Sequence, residues 1–255
     1  PPVGASPGTL VENPDAHPTR LLLMDYSLEH IEEKPIQHPS ELLPYIEKPT
    51  VTWLDVAGFR DTGRLREIAT LLKIHPLALA DAINIPQRAK AEPYPNYAFI
   101  VTHAPCIEDD ELITEQVSVL YGEHFVLTFQ ERPQDDLFNP LRERIRQSRG
   151  MLRTKGTAYL SYAIIDVITD HYFEALDHLD DRLDLLEQRI LKGELAVIQD
   201  LYADKHRVMD LRRAIETHRD SLSTLMSTQM HADQEVKLFL RDCLDHAISQ
   251  GQMAA

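Results

Sequence analysis

Hydrophobic and polar positions follow two different rhythms along the chain, and the change falls near Gly150. Through residues 1–150 the apolar side chains come in short runs divided by Pro, Gly, Asn and Asp. Leu21–Tyr26 and the β-branched Thr50–Val56 read as strands, with a short helix over Pro39–Ile46 between them. Asp61 is placed to cap a helix carrying Leu65, Ile68, Leu71 and Leu72 at steps of three and four. His75-Pro76 breaks that helix and opens another over Leu77–Ile83. Three further strands are predicted at Tyr97–His103, Gln116–Tyr121 and His124–Phe129, with Gly122-Glu123 as a two-residue hairpin between the last two. A helix over Asn139–Gln147 closes this part.

After Gly150 the period becomes helical throughout. From Thr157 to Lys192 there is neither Pro nor Gly. Ile165, Ile168, Tyr172, Leu176, Leu179, Leu183, Leu186 and Ile190 mark one face of a single helix, roughly 50 Å long at about 1.5 Å per residue. Gly193 supplies its stop. A second helix carries Leu201, Val208, Leu211, Ile215, Leu222 and Leu225 on one face. The short connection at Gly193 makes the two an antiparallel hairpin. A third helix is expected from near Asp233, with Val236, Leu240, Cys243 and Ala247 on one face. No stop precedes Gly251, so this last helix reads as interrupted.

The pattern defines an α+β chain: an α/β/α unit with a mixed, largely antiparallel sheet at 1–150, a long antiparallel helical hairpin at 151–230, and the start of a stalk helix at 231–255. The first residues show neither an initiator Met nor an apolar signal segment, so the chain is expected to begin inside a longer protein. No stretch approaches the roughly 20 apolar residues that span a bilayer.

Charge and chemistry narrow the function. A formal charge of −15 argues against nucleic-acid binding, which rests on neutralising phosphates with Lys and Arg. It permits a cationic partner, including a hard metal ion, although most acidic surfaces are simply solvated. Cys106 and Cys243 lie far apart with no C-x-x-C, so neither a disulfide framework nor a thiolate zinc cage is indicated, and a reducing compartment fits best. Phosphate-binding glycine loops, H-E-x-x-H and G-x-S-x-G are all missing, so no enzyme is expected. Between Asp166 and Glu187 the long helix carries eight acidic residues against Arg182, with Arg189 just beyond. Like charges three or four apart repel by tenths of a kcal/mol per pair, a cost that bound cations or a basic neighbour relieve. Asp242 and His246, at i and i+4, are either an ordinary pair or a shared metal grip. Gln87-Arg88-Ala89-Lys90 is a basic patch too short for nucleic acid.

Several segments, taken in order, resemble the cytoplasmic part of the CorA magnesium and cobalt transporter family. They are PGTLV at 7–11, MDYSLE at 24–29, TWLDVAG at 52–58, IHPLALADAINIPQRAKAE at 74–92, PNYAFIV at 95–101, EQVSVLYGEHFVLTFQE at 115–131, NPLRERIRQSRG at 139–150, YLSYAIIDVITDHYF at 159–173 and LFLRDCLDHA at 238–247. The resemblance implies a homopentamer on the cytoplasmic side of the cell inner membrane, whose membrane helices and Gly-Met-Asn loop lie outside these residues. It also implies a gating domain that senses divalent cations, Mg²⁺ foremost and Co²⁺ with it. The family's inter-subunit regulatory site falls here on Asp81 and Asp242, with Asp166 as a further contributor. Ala80 stands where some members carry another carboxylate, which removes one ligand. Two other readings accompany this one: a zinc-transporting member of the same superfamily, and a soluble acidic helical scaffold for a basic partner, without metal.

Overall fold

A computed structural model of the chain describes residues 4–108, 111–133, 137–194, 197–227 and 234–254. Strand β1 (Arg20–Tyr26) pairs with β2 (Ile31–Pro35) on one side and β3 (Val51–Ala57) on the other, antiparallel to both. A 3-10 turn at Pro39–Leu42 runs into α1 (Leu43–Ile46) between β2 and β3. Helices α2 (Thr62–Leu71) and α3 (Pro76–Ile83) follow, then β4 (Lys90–Pro93), β5 (Tyr97–Glu108), β6 (Glu111–Gly122) and β7 (Phe125–Gln130). The seven strands form one sheet in the order β2-β1-β3-β7-β6-β5-β4. Among the described residues only the central β3–β7 pair is parallel. The sheet is therefore mixed and largely antiparallel, as the sequence predicts.

Both faces of the sheet are covered. Side chains alternate between faces along a strand, so Trp53, Ile100, Val119 and Val126 enter one apolar core while Leu54, Val101, Leu120 and Leu127 enter the other. The second core is closed by α2 and α3 through Leu65, Ile68, Ala78 and Leu79. The first is closed by α4 (Asn139–Arg146) and by α5 (Thr157–Leu191), α6 (Ile198–Ser227) and α7 (Gln234–Met253). The expected start of the last helix at Asp233 lies outside the described residues.

The local signals act as anticipated at several ends. Asp61 accepts a hydrogen bond from the Arg64 amide at 3.0 Å to cap α2. His75 Nδ1 accepts from the Leu77 amide to cap α3, with Pro76 in the first helical position. Gly193 follows α5 with φ +84°, a left-handed geometry that suits glycine at a helix end.

Three features differ from the sequence reading. β2 and β4, reading IEEKP and KAEP, are the two edge strands. Charge and Pro guard an edge against further pairing, and the same residues hide the strand pattern. β6 begins at Glu111 rather than Gln116. The β6–β7 turn falls at Glu123–His124, one residue later than expected. Gly122 is needed there for close approach: a Cβ would lie 2.5 Å from the Phe125 ring.

Buried polar groups fasten the layers. Asp55 on β3 takes Arg142 Nη1 at 3.2 Å, the Thr128 hydroxyl at 2.6 Å and the Gln130 amide at 2.9 Å. Arg142, 3% exposed, also lies over the Trp53 ring, so α4 is pinned to the centre of the sheet. Farther along, His218 of α6 bridges Thr102 of β5 at 2.7 Å and Thr169 of α5 at 2.9 Å. The Thr169 hydroxyl donates to the Ile165 carbonyl, so it accepts from His218 Nε2–H, and Nδ1 then accepts from Thr102. Burial, with His103 nearby, pushes the His218 pKa down to about 4.

Candidate metal site

The three carboxylates singled out in the sequence stand in two different layers. Asp81 lies on α3, whose Ala78, Leu79, Ala80, Ala82 and Ile83 are buried against the sheet. That burial leaves Asp81 at the helix surface beside the edge strand β4. The end of α3 is held by Gln116 of β6, whose amide donates to the Asp81 carbonyl at 3.0 Å. Ala80, where another acid would be a second ligand, is 6% exposed and faces the core.

Asp81 is already in contact with a cation. Lys90 Nζ sits 2.7 Å from Asp81 Oδ2 and 2.8 Å from Glu92 Oε1. The ammonium also lies over the Phe99 ring, and Tyr94 donates to the other Glu92 oxygen at 3.4 Å. Burial works against the Lys90 charge, and the Asp81 and Glu92 contacts together outweigh it, so the ammonium's pKa is raised. Sequence reasoning took Lys90 as part of a basic patch and passed over Glu92. The available signal was their spacing: i and i+2 in an extended strand share a face.

Asp166 and Asp242 lie together on the opposite side of the sheet. Helices α5 and α7 run parallel, joined by the Tyr162–Phe239 stack and by Gln250, whose amide donates to the Thr169 carbonyl at 2.7 Å. Cys243, fully buried in this seam, donates to Asp166 Oδ1 at 3.5 Å. Burial, then Asp166, then Asp242 push the Cys243 thiol up, so it stays protonated. Burial, followed by Asp166 and more weakly Asp242, raises Tyr162 in the same way. Asp170, one turn on, is raised by burial and by Asp166. A field of three carboxylates thus gathers on one stretch of the seam.

Asp242 is open to solvent, its side chain 66% exposed, and its only described ion pair is a 4.0 Å approach to His246. Among the described residues no hydrogen bond or ion pair connects Asp81 with Asp166 or Asp242. Nor do the described residues contain three or more His, Cys, Asp or Glu side chains grouped to hold a metal. As donors the three aspartates are all carboxylate oxygens, which fits a hard divalent cation such as Mg²⁺. No described helix is long and apolar enough to cross a membrane.

The architecture is a three-layer α/β/α unit extended by a long helical hairpin and a third helix that runs parallel to α5. The family model for the CorA-like Mg²⁺ transporter protein matches residues 49–254, and the chain belongs to that family. It is 35% identical over 250 residues to the cobalt/magnesium transport protein CorA of Thermotoga maritima, covering 96% of this chain and 71% of that one. The fold is similar to the soluble domain of CorA from Methanocaldococcus jannaschii, with a TM-score of 0.75 at 18% identity over 92% of this chain and 90% of the other. It is also similar to the cytoplasmic domain of ZntB from Vibrio parahaemolyticus, with a TM-score of 0.62 at 12% identity over 92% and 91% of the two chains.

Proposed function

We propose that this chain is the metal-sensing and gating part of a CorA-type divalent-cation channel for Mg²⁺ and Co²⁺. In this reading it works as a homopentamer at the cytoplasmic face of the inner membrane, with α7 leading into the membrane helices. A Mg²⁺ ion bridges Asp81 of one subunit and Asp242 of the next, Asp166 contributing from α5, and the bridged state is the closed one.

The observation that carries the reading is the separation of the two aspartates into layers on opposite faces of the sheet, with Asp242 projecting into solvent. Within one chain the two have no common ion to hold. Across a subunit interface they become two halves of one site. Mg²⁺ keeps most of its waters and takes one or two carboxylates, so such a site binds weakly, as a sensor of a plentiful ion must. Without the ion the facing carboxylates repel, and the ion acts only through its preference for the closed arrangement. About 5.5 kcal/mol moves a two-state balance from 1:99 to 99:1, so roughly 1 kcal/mol at each of five sites suffices.

The test is protease protection of the assembled protein as Mg²⁺ is raised. Asp81→Ala combined with Asp242→Ala is expected to abolish the Mg²⁺-dependent protection. Protection that persists unchanged in the double variant rules the assignment out.

A further inference from the structure

We propose that Lys90 is a built-in counterion for Asp81, an ammonium that occupies the carboxylate in the ion-free state and must be handed to Glu92 before a divalent cation binds. The proposal rests on the reading in which Asp81 receives that ion, and it adds what regulates the site.

The geometry supports an exchange rather than a fixed pair. Lys90 Nζ touches both carboxylates, at 2.7 Å and 2.8 Å, so it keeps a partner when it leaves one of them. The lysine and Asp81 side chains are 29% and 28% exposed, open enough for an ion to approach and for the ammonium to swing. Glu92 is steadied by the Tyr94 hydroxyl on its other oxygen, which leaves Oε1 for Lys90. Lys90 and Glu92 lie on an edge strand, where side-chain movement disturbs little packing.

The consequence is electrostatic. A cation entering at Asp81 must displace a positive charge already there, so its apparent affinity falls by the cost of that displacement. For a pair about a third exposed, that cost is on the order of a surface ion pair, about a two- to fivefold effect on a binding constant. With the lysine charge removed altogether, as in Lys90→Gln, Asp81 and Glu92 remain as two neighbouring carboxylates without that counterion, a better cation site than Asp81 paired with Lys90. The lysine therefore sets the sensor's range, keeping it weak enough to respond to an abundant ion.

The experiment is a Mg²⁺ titration of protease protection in the assembled protein, read as the concentration giving half-maximal protection. Lys90→Gln is expected to lower that concentration about two- to fivefold. Lys90→Arg, which keeps the charge, is expected to stay within about twofold of the parent. Glu92→Gln, which leaves the ammonium wholly to Asp81, is expected to raise the concentration. A merely structural role for Lys90 would move Lys90→Gln and Glu92→Gln the same way. A half-maximal concentration that is unchanged or raised in Lys90→Gln, while Asp81→Asn abolishes the response, overturns the counterion role and leaves the metal site standing. An unaltered response in Asp81→Asn overturns both.

Discussion

Asp55 and Asp81 each face a basic side chain across two elements, yet the two pairs are built for opposite purposes. The Asp55–Arg142 pair is sealed, with side chains 8% and 4% exposed, and Asp55 takes further hydrogen bonds from Thr128 and Gln130. The Asp81–Lys90 pair is open to water and shares its cation with Glu92. A buried carboxylate with every partner fixed cannot change partners without leaving a charge in the core. A partly exposed one, facing a flexible ammonium rather than a planar guanidinium, can. The first pair holds the layers together, and the second has the freedom that the proposed sensing role requires.

Breaking each pair should expose that difference. Asp55→Ala removes the carboxylate that takes Arg142, Thr128 and Gln130 together, and is expected to cost about 3–5 kcal/mol, the range for breaking a buried pair. Asp81→Asn is expected to cost under about 1 kcal/mol. Urea unfolding of the two variants measures both; equal losses would mean that Asp81 is as structural as Asp55.

Why one aspartate was legible and the other's chemistry was not follows from where each signal lives. The long helix α5 could be read because its periodicity is local and runs from Thr157 to Leu191 without a breaker. The edge strands β2 and β4 escaped because the charges and prolines that protect an edge erase the alternation that marks a strand. Asp81 drew attention only through the family resemblance of the HPL segment. The Lys90–Glu92 cup around it depends on β4 lying beside α3, which the order of residues does not state. Asp55 and Arg142, 87 positions apart, offered no pattern at all, since a buried pair is chosen by tertiary structure. The Thr102–His218–Thr169 bridge was hidden for the same reason.

That bridge is the uncharged member of the sealed class, and pH separates it from the ion pairs. His218 is pushed down to about 4 in the folded chain, against about 6.5 when unfolded. Between those values the unfolded state binds a proton that the folded state refuses. Stability is therefore full above about pH 6.5 and falls as the pH drops towards 4, by at most about 1.4 kcal/mol per pH unit for this one group. His218→Gln should flatten that part of the stability profile relative to the parent chain. Parallel slopes in the two proteins would place the acid sensitivity elsewhere.

The smallest structural effect should come from Asp242, and it decides most about the open class. Its side chain is 66% exposed, and its neighbour His246, 42% exposed, approaches only to 4.0 Å. Replacing it with Asn removes charge from an exposed face of α7 and is expected to shift folding stability by no more than about 0.5 kcal/mol, as surface changes do. The same substitution removes half of the proposed inter-subunit site. A chain whose stability is untouched but whose Mg²⁺-dependent protection is lost would separate function from scaffold at a single residue. Asp170→Asn is the matched control, since it lies in the same acidic field and outside the proposed ligand set. If both variants lose the response equally, the seam acts through its summed negative charge, and no particular carboxylate carries the sensing.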